Sequence, residues 1–146
     1  MKRTILFSLL TAAIILTGCN KQSQSSTTPV PLGTFTGKLV VIHKNGKTSK
    51  LDTVTSSVTL LMSASAGYAL TADTSVAQAG SHGPFTLNSQ YITFTDQTAP
   101  AGSRIVGTSA KIHLNGTYTY GYDGTNFDFY ATSADTLGYS YLLVKN

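Results

Sequence analysis

From residue 33 to the C-terminus, apolar and polar positions alternate in short runs that end at Gly, Asn, Asp or Ser, and no stretch shows a helical period. Side chains on one face of neighbouring strands pair in constant register, which makes several hairpins explicit. Asp123-Gly124, read as a two-residue type I′ turn, pairs Tyr122 with Thr125, Tyr120 with Phe127 and Tyr118 with Phe129. A turn at Ser89-Gln90 sets Leu87 opposite Ile92 and Phe85 opposite Phe94. A third hairpin, turning through residues 63–67, sets Leu60 opposite Leu70 and Met62 opposite Tyr68. An opening strand over 34–43 runs into Asn45-Gly46, a further hairpin signal, and its return strand falls somewhere in 48–55. A closing strand over 138–145 puts Tyr139, Tyr141 and Leu143 on one face. That face matches Phe127 and Phe129 only if an odd-numbered loop or a bulge follows Tyr130, because both sets are odd-numbered.

Sequential hairpins with one apolar face are satisfied most simply by closure. The pattern predicts an all-β domain over 33–146, an antiparallel up-and-down barrel of about eight strands, with an open two-sheet sandwich as the alternative. Composition agrees. Charged residues are 11%, with no Glu and no Trp, whereas Ser, Thr, Tyr and Val abound, which suits half-buried strands and excludes helical bundles. A hydrophobic share of 41% excludes a wholly disordered chain.

The first residues have a different character. Lys2 and Arg3 precede an apolar run over 5–16 that is too short to cross a bilayer core of roughly 30 Å, so it reads as a secretion signal. Leu16-Thr17-Gly18-Cys19 follows directly and resembles the lipobox of bacterial lipoproteins. The resemblance implies a signal peptide over 1–18, removed in the mature protein, and lipid attachment at Cys19, the chain's only cysteine. Three acyl chains hold a protein firmly, since each buried CH₂ contributes about 0.8 kcal/mol. With that thiol consumed no disulfide can form, and the domain must fold on its core alone. Loss of Lys2 and Arg3 leaves eight cations against six Asp, a charge of +2. Residues 20–32, NKQSQSSTTPVPL, offer almost nothing to bury and complete a lipidated, flexible tether over 19–32. As a coil it spans about 20 Å, and stretched about 45 Å. Asn20 after the cysteine, by the same resemblance, implies the outer membrane, with the domain facing the periplasm.

Gly33-Thr34-Phe35-Thr36-Gly37, Gly83-Pro84-Phe85-Thr86-Leu87 with Tyr91-Ile92-Thr93-Phe94, and Leu114-Asn115-Gly116-Thr117-Tyr118-Thr119-Tyr120 before Asp123-Gly124 resemble the lipocalin-like, calycin-type barrels of small bacterial lipoproteins. The likeness covers most of 33–146 and implies a barrel on a lipid anchor. Phe35 stands where many lipocalins carry Trp.

Candidate chemistry is sparse. His43, His82 and His113 show no metal-ligand spacing, so exposed strand-end histidines are the plainer reading and no metal or cofactor is expected. Asp123 and Asp128 lack the pattern of a calcium loop. No G-x-S-x-G element is present, and the expectation is a non-enzymatic protein. Lys38, Lys44, Lys47 and Lys50 gather near one hairpin, as an anionic patch reader or as solvating charges on a barrel rim. Nucleic acid is not an expected partner. The aromatics Phe35, Tyr118, Tyr120, Phe127, Phe129, Tyr139 and Tyr141 are candidates either to line a ligand pocket or to fill the core. The functional expectation is a binding module for a small apolar ligand or an envelope protein. The alternative is an envelope protease inhibitor acting through its N-terminal segment.

Overall fold

A computed structural model describes residues 29–73, 78–98, 111–133 and 137–146. The expected signal peptide and lipobox, with Cys19, lie outside the described residues. Nine strands and no helix are present among them: β1 (Gly33–Lys44), β2 (Leu51–Ser63), β3 (Gly67–Ala72), β4 (Ser81–Gly83), β5 (Phe85–Leu87), β6 (Tyr91–Phe94), β7 (Gly116–Tyr122), β8 (Asn126–Ser133) and β9 (Leu137–Lys145). Their order in the sheet is β4-β3-β2-β1-β9-β8-β7-β6-β5 and all pairings are antiparallel.

The two ends of that sheet, β4 and β5, are separated in sequence by Pro84 alone. Residues 81–87 therefore form one bent strand, paired with β3 through Tyr68↔Gly83 and with β6 through Phe85↔Phe94. Backbone hydrogen bonds continue the β5–β6 register beyond β6: Thr95 N–H donates to the Pro84 carbonyl at 3.0 Å and Gln97 N–H to the His82 carbonyl at 2.8 Å. The sheet thus wraps into a nearly closed up-and-down barrel. First and last strands meet along Phe35↔Lys145 to His43↔Leu137.

The apolar pairs set the registers where they are strong. Leu87↔Ile92, Phe85↔Phe94, Leu60↔Leu70 and Met62↔Tyr68 pair as the alternation predicts. Phe127↔Leu143 and Phe129↔Tyr141 share a face because three residues, 134–136, separate the paired ends Ser133 and Leu137. The hairpin after Tyr122 departs from expectation. Tyr122 pairs with Phe127 and Tyr120 with Phe129, two residues out of the register that an Asp123-Gly124 turn would set. The Asp123 carboxylate accepts the N–H groups of Thr125 (2.8 Å) and Asn126 (2.6 Å), and Asp123 N–H donates to the Asn126 carbonyl, which lengthens the turn to four residues. Gly124 takes φ +101° within it. A slip of two preserves the faces, so the aromatic side still points inward.

At the tether end, Pro31 is buried and Leu32 packs against the core. At the opposite end, residues 78–81 and 112–115 lie across the barrel, joined by a parallel bridge between Gln78 and Ile112 and by Ala79 N–H to the Ile112 carbonyl at 2.8 Å. This strap sends Gln78 and Leu114, both fully buried, into the interior.

Candidate functional site

The interior is occupied by rings. Phe129 on β8 is central: Tyr141 stacks on it at 4.5 Å and 16°, Phe127 lies at 4.9 Å, and Phe94 and Tyr118 each at 5.4 Å, Tyr118 edge-on. Phe35 reaches the group through Phe127 at 5.2 Å, and Tyr139 is buried on β9. Six of the seven aromatics singled out from sequence are therefore buried in this core cluster. Tyr120 is half-buried at its margin, with its hydroxyl donating to the Asn88 carbonyl at 2.7 Å. Tyr68, Phe94 and Leu114 belong to the same core.

Three of the buried tyrosines fasten the strap. Tyr68 donates to the Leu114 carbonyl, Tyr118 to the Asn115 carbonyl at 3.3 Å, and Tyr141 to Gln78 Oε1 at 3.0 Å, while Gln78 Nε2 donates to the Ala79 carbonyl. Burial drives the hydroxyl pKa of all three upward, so they remain neutral donors and supply no phenolate. Among the described residues, Ser56 Oγ on β2 is the one buried side-chain polar atom without a hydrogen-bond partner.

Asp96 meets His113 of the strap. His113 Nδ1 lies 2.7 Å from Asp96 Oδ2, and the Asp96 side chain is fully buried. Thr98 donates to Asp96 Oδ1 through both its N–H (2.8 Å) and its hydroxyl (2.7 Å), and Asp96 N–H donates to Asn115 Oδ1. The only hydroxyl in the group approaches the imidazole at Nδ1 (3.4 Å), beside the carboxylate. A histidine activating a nucleophile would need it at the opposite nitrogen. The constellation is a latch between residues 96–98 and 113–115. Burial alone would raise the Asp96 carboxyl, but the bonds from Thr98 and His113 outweigh it and hold the group below the usual carboxylate range. Its contribution to stability is therefore complete above that range and is lost as pH falls through the lower folded value. Urea midpoints measured down a pH series should drop on the acid side, and Asp96→Asn should remove part of that slope. Equal slopes would show that the latch does not respond to protonation. Among the described residues no three His, Cys, Asp or Glu side chains gather as metal ligands.

The outer wall carries a different pattern. One cross-strand row runs Tyr91, Thr119, Tyr130, Ser140, Val40, with Leu142 one step away on β9. Tyr130 is 55% exposed, Leu142 48% and Tyr91 44%. The two tyrosines stand two strands apart, about 10 Å. Gly121 and Gly138 flank the row with open space where a side chain would be, so Tyr130 rises from a shallow surface of Gly, Ser and Thr. No family model, no characterised protein and no solved structure matches the chain.

Proposed function

We propose that the chain is a lipid-anchored, non-enzymatic envelope module that binds a protein partner on the outer wall of its barrel. The observation that carries this reading is the contrast between the two faces. The interior is taken up by rings packed on one another, whereas Tyr91, Tyr130 and Leu142 stand exposed on the outside among small polar residues. Exposed aromatics that rise from small polar neighbours are the side chains on which interfaces concentrate binding energy. The small-ligand reading loses support because the aromatics that would line a pocket are packed against one another.

The anchor rests on Leu16-Thr17-Gly18-Cys19 and the tether, and the domain is assigned to the periplasmic side of the outer membrane on the same resemblance. Cys19→Ala should move the protein from the membrane fraction to the soluble fraction on cell lysis. Unchanged detergent partitioning would refute the anchor. A photo-reactive phenylalanine analogue at position 130 should give a discrete adduct with another envelope protein in intact cells, and the same group at the exposed Ser65 should not. Identical patterns at both positions, or none at 130, would remove the wall as a binding surface.

A further inference from the structure

β2 has strand neighbours on both sides only from Val58 onward, where β3 pairs with it. Over residues 51–57 it is bonded to β1 alone, and among the described residues no strand lies on its other side. The ladder shows which groups are left over. Asn45 N–H donates to the Lys50 carbonyl at 2.8 Å, so in β2 the even-numbered residues bond toward β1. Leu51, Thr53, Thr55 and Ser57 then turn their N–H and C=O groups to the open side. Native edges of this length are commonly blunted by Pro, charged side chains, a bulge or a covering segment. This one has no Pro, and its centre is Thr53-Val54-Thr55, residues that favour strands.

The surroundings select a partner. Lys38 stands opposite Ser57, Lys44 ends β1, and Lys47 and Lys50 occupy the connecting loop, with Asp52 as the acid among them. None of the four lysines is in an ion pair among the described residues. Leu51 is 67% exposed, with Ile42 exposed on the same face, and Val54 is exposed on the other. A groove of about 490 Å³ continues the edge past Ser57, where β3 leaves β2. A lipid headgroup surface would answer the lysines and leave the open backbone row unmatched; an extended peptide answers both.

We infer that residues 51–57 take up an extended, acidic peptide segment as an additional strand. This rests on the β2 edge and not on the Tyr130 wall, so either can fail without the other. The test titrates a short acetylated peptide of alternating Val and Glu into the mature protein and reads affinity together with amide exchange. Binding should slow exchange at Thr53 and Thr55. Thr53→Pro with Thr55→Pro, which removes two edge donors without touching the β1 ladder, should weaken affinity about tenfold or more. Thr53→Val keeps the N–H and should bind as wild type, and wild-type amide exchange along the β1–β9 pairing in the proline variant separates loss of the edge from loss of fold. Lys47→Glu with Lys50→Glu should weaken the Val-Glu peptide, and an alternating Val-Lys peptide should not bind. Affinity unchanged by the prolines, or no binding at all, would overturn the inference. So would binding of phosphatidylglycerol vesicles in place of peptide, or a dimer of the chain that the prolines dissociate.

Discussion

Phe129→Ala should cost about 3–5 kcal/mol, a large part of the roughly 5–15 kcal/mol that holds a typical domain folded. Phe129 is fully buried and touches four rings from three other strands and its own, with Tyr141 stacked flat on it at 4.5 Å. Removing it leaves a cavity that its neighbours close poorly, because two of the four are held in place. Tyr118 and Tyr141 are tied by their hydroxyls to Asn115 and Gln78 of the strap. The loss should appear as a lower urea midpoint and a melting temperature reduced by about 10 °C or more. Tyr130→Ala, one residue along the same strand but on the outer wall, should cost under about 1 kcal/mol. Comparable losses at the two positions would mean that the faces of β8 are not divided as the structure places them. The pair also bears on the proposed binding face: packing energy is expected on the inner side of β8, and a side chain such as Tyr130 on the outer side can change without unfolding the barrel.

The barrel was largely legible in the chain wherever apolar side chains could be paired across a turn. Leu60 with Leu70, Met62 with Tyr68, Phe85 with Phe94 and Leu87 with Ile92 stand in the expected register, since a slip would expose them. The Asp123-Gly124 turn misled because its hydrogen bonds are made by a side chain: Asp123 captures the amides of Thr125 and Asn126 and moves the pairing by two residues. The Asn45-Gly46 signal marks the right place, but the loop runs on to Lys50, with Ser49 at φ 54°, before β2 returns. The strap left no periodic trace. Gln78 reaches Tyr141 across 63 positions and His113 reaches Asp96 across 17, from segments with no strand alternation. A local sign did exist in Asp96-x-Thr98, the spacing at which a carboxylate caps the amide two residues on. The exposed row of Tyr91 and Tyr130 was invisible for another reason: strand alternation says which residues face out, but only the register shows that these two share a line.

Gly83→Ala should open the barrel along residues 81–87. A Cβ at position 83 would lie 2.0 Å from the Thr95 carbonyl oxygen and 3.1 Å from its carbon, and both are backbone atoms. They cannot step aside cheaply. Thr95 N–H is bonded to the Pro84 carbonyl, Gln97 N–H to the His82 carbonyl, and Gly83 itself faces Tyr68 across the β3–β4 pairing. The substitution therefore forces a choice between a clash and loss of the contacts that close the ring, with an expected cost of about 2–3 kcal/mol or more. Gly46→Ala is the matched control. A Cβ there meets nothing, and the substitution should be neutral or stabilise by about 0.4–1 kcal/mol through the unfolded chain. Amide exchange separates a local defect from a general one: in Gly83→Ala the Thr95 and Gln97 amides should exchange much faster than wild type, while those along the β1–β9 pairing change only with global stability. Wild-type exchange at Thr95 and Gln97 in that variant would mean that residues 81–87 accommodate the Cβ without releasing these bonds, and that closure does not depend on the bare backbone at Gly83.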